Sequence, residues 1–347
     1  MTITRAQLDR IVANQERAVR RAFFEAIAAL RDEVLLTDLV AAIEAGDTDR
    51  ALAVLNITPA TFAPLAAAGV AAYAIGGTTG AAQIGRVPAS PGGPVVAFRF
   101  GGRSPRAERW AADVSSRRIV EIVEDQRALA RSVITSGLTA GRNPRSVALD
   151  IVGRVDRATK RRTGGFIGLT EQQGRYVLNL REELSDPARM ANYFSRARRD
   201  KRLDGIVRRA MAEGVPVKAV DIDTIAARYS DRLLQLRGET IARTEAITAL
   251  RAGQLESMME AQEQAGFLPG ETMKEWSDTG DGKTRPGHRH ADGQKVPVDQ
   301  PFIVDGYRLM YPGDSRMGAP ADTTINCRCA VRYEVDFIGR ALRLEGF

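Results

Sequence analysis

The spacing of apolar residues changes character once along the chain, near Gly266, and no other feature constrains the fold as strongly. Before that point apolar side chains recur three, four and seven residues apart, as Leu8, Val12, Val19, Phe23, Ile27, Leu30 and Val34 do, which lines one face of a helix. After it, short runs at Met273–Trp276, Gln294–Val298, Phe302–Val304, Arg308–Tyr311 and Cys327–Val335 alternate with the turn pairs Asp281-Gly282, Asp292-Gly293, Asp305-Gly306 and Pro312-Gly313. The expected fold class is therefore α+β, a predominantly α-helical body with a small mixed, mostly β C-terminal module.

Within the helical part, Thr4 and Gln7 make a capping box ahead of a helix predicted to run to about Leu36. Shorter helices are predicted at Asp38–Ala45 and Asp49–Asn56, and Thr58-Pro59 opens an alanine-rich helix predicted to end at Gly76-Gly77. Residues 76–105 crowd Gly, Pro and Ser around one strand-like run, Val95 to Phe100, and read as a long loop or hinge. Ser104-Pro105 then starts a helix through Trp110 and Leu129 to near Gly137. Asn143-Pro144 and Leu169-Thr170 open two more, and Asp221 opens one that runs, with a weak point at Gly238, to about Gln264. The predicted organisation is an N-terminal helical region at 1–77, a Gly/Pro-rich loop or linker at 78–105, an Arg-rich helical body at 106–266 and a small α+β module at 267–347.

With 44% hydrophobic and 27% charged residues, the chain is neither wholly disordered nor collagen-like, and two cysteines exclude a disulfide framework. Its net charge of +7 is uneven, because residues 61–220 carry 27 basic against 14 acidic side chains. That excess favours an anionic partner. Of the 50 basic residues 44 are arginine, which fits either phosphate reading or GC-rich coding, and their spread over every helical face favours coding. Met1-Thr2-Ile3-Thr4 leads directly into a charged helix without an apolar core, so export by a signal peptide is not expected. The most apolar stretch, Phe62 to Ile75, has 14 residues where a bilayer needs about 20, and it reads as a buried helix; no membrane span is expected.

Two motif-like strings fail on chemistry. Ser277 to Thr284 approaches the phosphate-loop pattern, but Arg285-Pro286-Gly287 blocks the helix whose N-terminus should hold the phosphate. His288-Arg289-His290-Ala291-Asp292 approaches a dinuclear hydrolase signature, but the chain has no further histidine to complete it. Every His and Cys nevertheless falls within residues 288–329. In extended backbone, residues i and i+2 point to one side, so His288, His290, Cys327 and Cys329 form a candidate structural zinc site. The alternative is a pair of small buried cysteines with His288 hydrogen-bonded in the core and His290 exposed. Arg243 and Glu245 fit a pairing role at the end of the long helix, Arg243 to an aspartate such as Asp281 and Glu245 to Arg285 or Arg328. A structural role is favoured over catalysis, since no set of nucleophile, base and orienting group converges on them.

Taken in order, Arg243-Thr244-Glu245, Trp276, Asp281, Arg285-Pro286-Gly287-His288, Asp292-Gly293, Phe302, Pro312 and Asn326-Cys327-Arg328-Cys329 resemble the phage Mu F-like family of minor head proteins, the phage head morphogenesis domain, over about residues 225–335. The resemblance implies a non-enzymatic minor capsid protein that acts at the portal during head assembly. Its expected partners are the portal protein, capsid components and packaged double-stranded DNA held without sequence specificity. Its expected place is the virion, in the head interior or near the portal, after synthesis in the host cytoplasm. Many relatives have CxxC where this chain has Arg285 to His288, and HPNCRC where it has Thr324 to Cys329. Arg285 and Thr324 thus replace two ligands of that variant, leaving His288, Cys327 and Cys329 as ligand types. Two alternatives stand beside this reading. One is a toxin or enzyme domain fused to a Mu F-like module, although residues 1–220 hold no His or Cys for metal, thiol or imidazole chemistry. The other is a portal adaptor that makes no DNA contact.

Overall fold

Thr4 caps the first helix as predicted, its hydroxyl accepting from the Gln7 amide while the Gln7 side chain accepts from the Thr4 amide. The computed structural model describes residues 4–88, 95–101, 109–110, 112, 116–268 and 270–345. Helix α1 (Arg5–Glu33) is followed by α2 (Leu36–Glu44), α3 (Thr48–Leu55) and α4 (Ala63–Ile84), close to the predicted boundaries except at one end. Instead of stopping at Gly76-Gly77, α4 continues to Ile84. The irregular stretch therefore begins at Gly85, and strands β1 (Arg86–Pro88) and β2 (Val95–Ala97) pair antiparallel just after it. Helix α5 (Ser116–Thr139) follows; its predicted start at Ser104-Pro105 lies outside the described residues.

Next come α6 (Pro144–Val152), the two-residue strands β3 (Arg154–Val155) and β4 (Arg162–Thr163), α7 (Glu171–Ser185), α8 (Asp204–Glu213) and α9 (Ala219–Ala265). Asn143 caps α6 through its side chain, and Thr170 with Gln173 forms a second capping box on α7. Beyond Gly266 lie β5 (Thr272–Ser277), the short helix α10 (Pro286–His290), β6 (Lys295–Pro297), β7 (Phe302–Val304), β8 (Tyr307–Leu309), α11 (Ala321–Thr324), β9 (Ala330–Val335) and α12 (Phe337–Glu345). The fold is α+β, a helical body with small antiparallel sheets toward the C-terminus.

The chain forms two compact units, one of Met1–Ala22, Leu65–Ser116 and Thr240–Phe347, the other of Phe23–Pro64 and Arg117–Glu239. In the second unit α2 lies on α3 and α6, and Leu39, Ile43, Leu55, Leu129 and Val147 are all but inaccessible. Its arginines are drawn inward. Asp150, with 1% of its side chain exposed, receives Arg142, Arg154 and Arg181, and the latter two also reach Asp223. Charges buried together in this way must satisfy one another, because an unpaired one is strongly destabilising.

In the first unit β5 is the central strand of the order β6-β5-β9, with Trp276 opposite Val331 and Lys274 opposite both Val296 and Tyr333. Beneath the sheet, Trp276, Phe302, Leu309 and Tyr311 are fully buried and form one core with Tyr73, Leu250 and Leu255. Helices α4 and α9 touch backbone to backbone. A Cβ on Gly76 would strike the Leu250 carbonyl, and one on Gly253 would strike the Tyr73 carbonyl. The glycines read from sequence as the end of a helix are thus its contact face. The helix is 22 residues long and runs past its predicted end at Gly76-Gly77, and Thr48–Ile84 is long and apolar enough by length and composition to cross a membrane. The left-handed Asn56 and a 3-10 turn at Pro59–Phe62 interrupt that stretch.

Candidate functional site

Trp276 organises the residues singled out in sequence. Strand alternation turns it into the core, where its ring meets those of His288 and Phe302 edge-on at centroid distances of 5.5 and 5.4 Å. The Trp276 amide donates to the Gln294 carbonyl at 2.9 Å, and the Gly293 amide donates back to the Trp276 carbonyl at 2.9 Å. Gly293 reaches that position at φ +76°, where a side chain would be strained. Asp292 closes the same turn by accepting from the Asp278 amide at 2.8 Å. The Asp292-Gly293 pair thus fixes the path that leads away from α10.

Helix α10 begins with Pro286 at its first turn and places His288, 2% exposed, against both cysteines. The Nδ1 atom of His288 lies 3.5 Å from Cys327 Sγ and 3.5 Å from Cys329 Sγ. Cys327 and Cys329 sit in the non-helical approach to β9, where alternate side chains share one side, as expected. The Cys329 thiol, with His288 adding to it, holds the Cys327 thiol below the ordinary thiol range against the effect of burial. The expectation for His290 fails. It belongs to a helix, in which residues two apart point roughly opposite ways, so it is exposed while His288 faces inward.

The three remaining donors approach one another within 4.8 Å, and their 3.5 Å nitrogen–sulfur separations suit the edges of a tetrahedron with metal bonds of about 2.0 to 2.3 Å. A closed structural zinc site needs a fourth ligand. Among the described residues no other His, Cys, Asp or Glu joins the group, so the residues fit an open three-ligand site and not the four-ligand one expected. Hydrogen bonds occupy the two replaced positions. Arg285 donates to the carbonyls of Thr323 and Ile325, tying the start of α10 to the turn before Cys327, while the Thr324 hydroxyl donates to the Pro320 carbonyl.

The same turn is held to the long helix. Asn326, at φ +58°, donates its amide to the Thr244 hydroxyl at 3.1 Å, and the Thr248 hydroxyl donates to the Gly313 carbonyl at 3.4 Å. Arg328 grips Asp281 through two bonds of 2.6 and 2.9 Å, which hold the Asp281 carboxyl down at about 2. The predicted partner of Asp281 was Arg243; instead Arg243 lies 3.7 Å from Glu16 of α1, because Arg328 already saturates that carboxylate. Glu245 is half-buried on the same helix. The fastening thus runs from the middle of the Arg243-Thr244-Glu245 triplet.

Lys274 escaped the sequence reading, although alternation with Trp276 marks it as inward-facing. It is fully buried on β5, donates to the Met310 carbonyl at 2.8 Å, and lies over the Phe302 ring at 5.0 Å. Burial pushes its amine down to about 7. The carbonyls that receive Arg285 also went unseen, since backbone acceptors leave no mark on composition. A cavity of about 1040 Å³ in this unit is lined by Glu16, Glu275, Asp278, Asp281 and Arg328 among others, and neither thiol nor His288 lines it.

Residues 203–332 match the family described as Phage Mu protein F like protein. The chain is 36% identical over 107 residues to the NAD(+)–arginine ADP-ribosyltransferase EFV of Enterococcus faecalis, a match that takes in 30% of this chain and 20% of that protein. It is 32% identical over 130 residues to the minor head protein GP7 of Bacillus phage SPP1, covering 37% of this chain and 39% of the relative. The chain therefore spans only a fifth to two fifths of these curated relatives. No solved structure matches it at a significant level. The matched span, residues 203–332, contains the triplet, the tryptophan, the histidine and the paired cysteines whose contacts are described above, and over that span the chain is similar to the Phage Mu protein F like family.

Proposed function

We propose that the protein is a structural component of a tailed-phage head, acting beside the portal during assembly and touching packaged DNA without reading its sequence. One observation carries the structural half of this reading. The family-defining residues are spent on one another and on backbone groups, as Thr244 on Asn326, Arg285 on two carbonyls, Arg328 on Asp281 and His288 on two thiols. Contacts of this kind hold a loop, a turn and a helix together, which is a structural use of those side chains. The minor head protein similarity supports the same role, whereas the transferase similarity covers one fifth of that protein.

DNA contact is supported by what the ion pairs of the second unit leave over. Arg127, Arg145, Arg157, Arg161, Arg198 and Arg209 are exposed and have no ion pair among the described residues. Six phosphate contacts imply a fall in affinity of about a thousand-fold between roughly 50 and 200 mM salt. Capture on immobilised portal protein, with and without nuclease, tests both halves together with a salt titration on two unrelated duplexes. Retention on the portal after nuclease treatment and equally steep salt curves are expected. Loss of retention with nuclease would remove the direct portal contact, and salt-independent DNA binding would remove the phosphate contacts.

A further inference from the structure

A second, smaller cavity of about 230 Å³ opens in the first unit against the His288 and cysteine cluster. At about 30 Å³ per water it holds roughly seven waters, room for a tetrahedral oxyanion with part of its hydration shell. Four cations line it, Arg243, Lys283, Arg285 and Arg328, together with the hydroxyls of Thr279 and Thr284, and no carboxylate does. The larger cavity of the same unit differs, since carboxylates outnumber cations in its lining.

The four cations are neutralised to different degrees. Arg328 is matched by Asp281, and Arg243 lies 3.7 Å from Glu16, its one ion pair among the described residues. Arg285 donates hydrogen bonds to the Thr323 and Ile325 carbonyls, which satisfy donors without cancelling its charge. Lys283 has no ion pair among the described residues and is exposed on the loop before α10. The pocket therefore keeps positive charge on Lys283 and Arg285, which the lowered Cys327 thiol offsets only in part. One buried polar atom also lacks a partner there: His288, 2% exposed and part of the lining, has no hydrogen bond to Nε2. A buried polar group without a partner is destabilising unless something else meets it.

From this combination we propose that the pocket is a phosphate site, built from Lys283, Arg285 and Arg243 around the His288 and cysteine cluster. It takes a tetrahedral oxyanion either as free phosphate or as one phosphate of a nucleic-acid backbone. In the second case the site deepens the DNA contact proposed above and rests on it; in the first it stands alone. Guanidinium and ammonium groups bind phosphate through charge-assisted hydrogen bonds. Thr279, Lys283 and Thr284 belong to the string set aside above as a phosphate loop, and here they would hold the anion through their side chains rather than on a helix end.

The test is titration of the full-length protein with inorganic phosphate at low ionic strength by calorimetry, beside the variants Lys283→Glu and, as a control, Lys295→Glu. Lys295 pairs with Glu334 on the sheet and does not line the pocket. Expected is saturable binding that weakens about ten-fold or more in Lys283→Glu and is unchanged in Lys295→Glu, with thermal melts showing both variants folded. Competition by a short duplex in the same titration assigns the site to the nucleic-acid backbone, and lack of competition assigns it to free phosphate; either outcome upholds the pocket. Absent phosphate binding at millimolar concentration, or equal binding in wild type and Lys283→Glu, overturns it. Neither negative result bears on head assembly, which is read from portal capture.

Discussion

Asp281 shows how far one residue can be judged before a structure is known. Its presence in the family string is visible in sequence, but its partner is not: the sequence suggests Arg243, and the choice depends on a backbone path that sequence does not fix. The structure assigns Arg328 through two short bonds. The Asp281 carboxyl is depressed in the folded state relative to an unfolded value near 4, so its contribution is fully present above about pH 4 and is lost as pH falls through about 2. Urea unfolding at a series of pH values should therefore show wild type losing stability across that window. Asp281→Asn should be less stable than wild type at pH 6 and lack this part of the acid-induced loss. An unchanged acid limb in the variant would mean that the pair does not hold the loop. The His288 and cysteine cluster was similarly half legible. Cysteines two apart in extended chain share a side, but the pair His288 and His290 followed helical geometry, and five residues are too few for periodicity to announce a helix.

At the scale of elements, helices were read well wherever a cap or an apolar stripe marked them. Thr4, Asn143 and Thr170 all cap as predicted, and α9 runs through Gly238 without interruption. The exception is α4. Gly76 and Gly77 look like a terminator in a single sequence because glycine weakens helices, yet here they permit an approach that any side chain would prevent. Two substitutions separate these meanings. Gly205→Ala, on α8 with open space around it, should stabilise the protein by about 0.5 to 1 kcal/mol through helix propensity alone. Gly253→Ala gains the same propensity but drives a methyl into the Tyr73 carbonyl, and overpacking of that kind costs about 1 to 3 kcal/mol. Denaturant midpoints of the two variants should move in opposite directions. A stabilising Gly253→Ala would show that α4 and α9 are not in backbone contact. The strands after Gly266 were legible from their turns, within a few residues at each end, because Asp-Gly and Pro-Gly pairs announce reversals regardless of what they connect.

For the whole molecule, the sequence conveyed an excess of positive charge but not its use. Much of the arginine content is consumed inside the second unit, around Asp150, Glu183, Asp200 and Asp204, and only the structure separates those guanidinium groups from the ones that face solvent. The first unit meets a different need: its named residues secure a small sheet and its turns to one helix, through hydrogen bonds and one cluster of imidazole and thiols. Such a unit suits a part that must keep its shape inside an assembly. Quantitative mass spectrometry of purified, nuclease-treated heads from the phage that encodes the chain tests this most directly. The protein should be found in the heads at a fixed ratio to the portal protein. Its absence from them, with the protein recovered only free in the lysate, would contradict a structural role in the head.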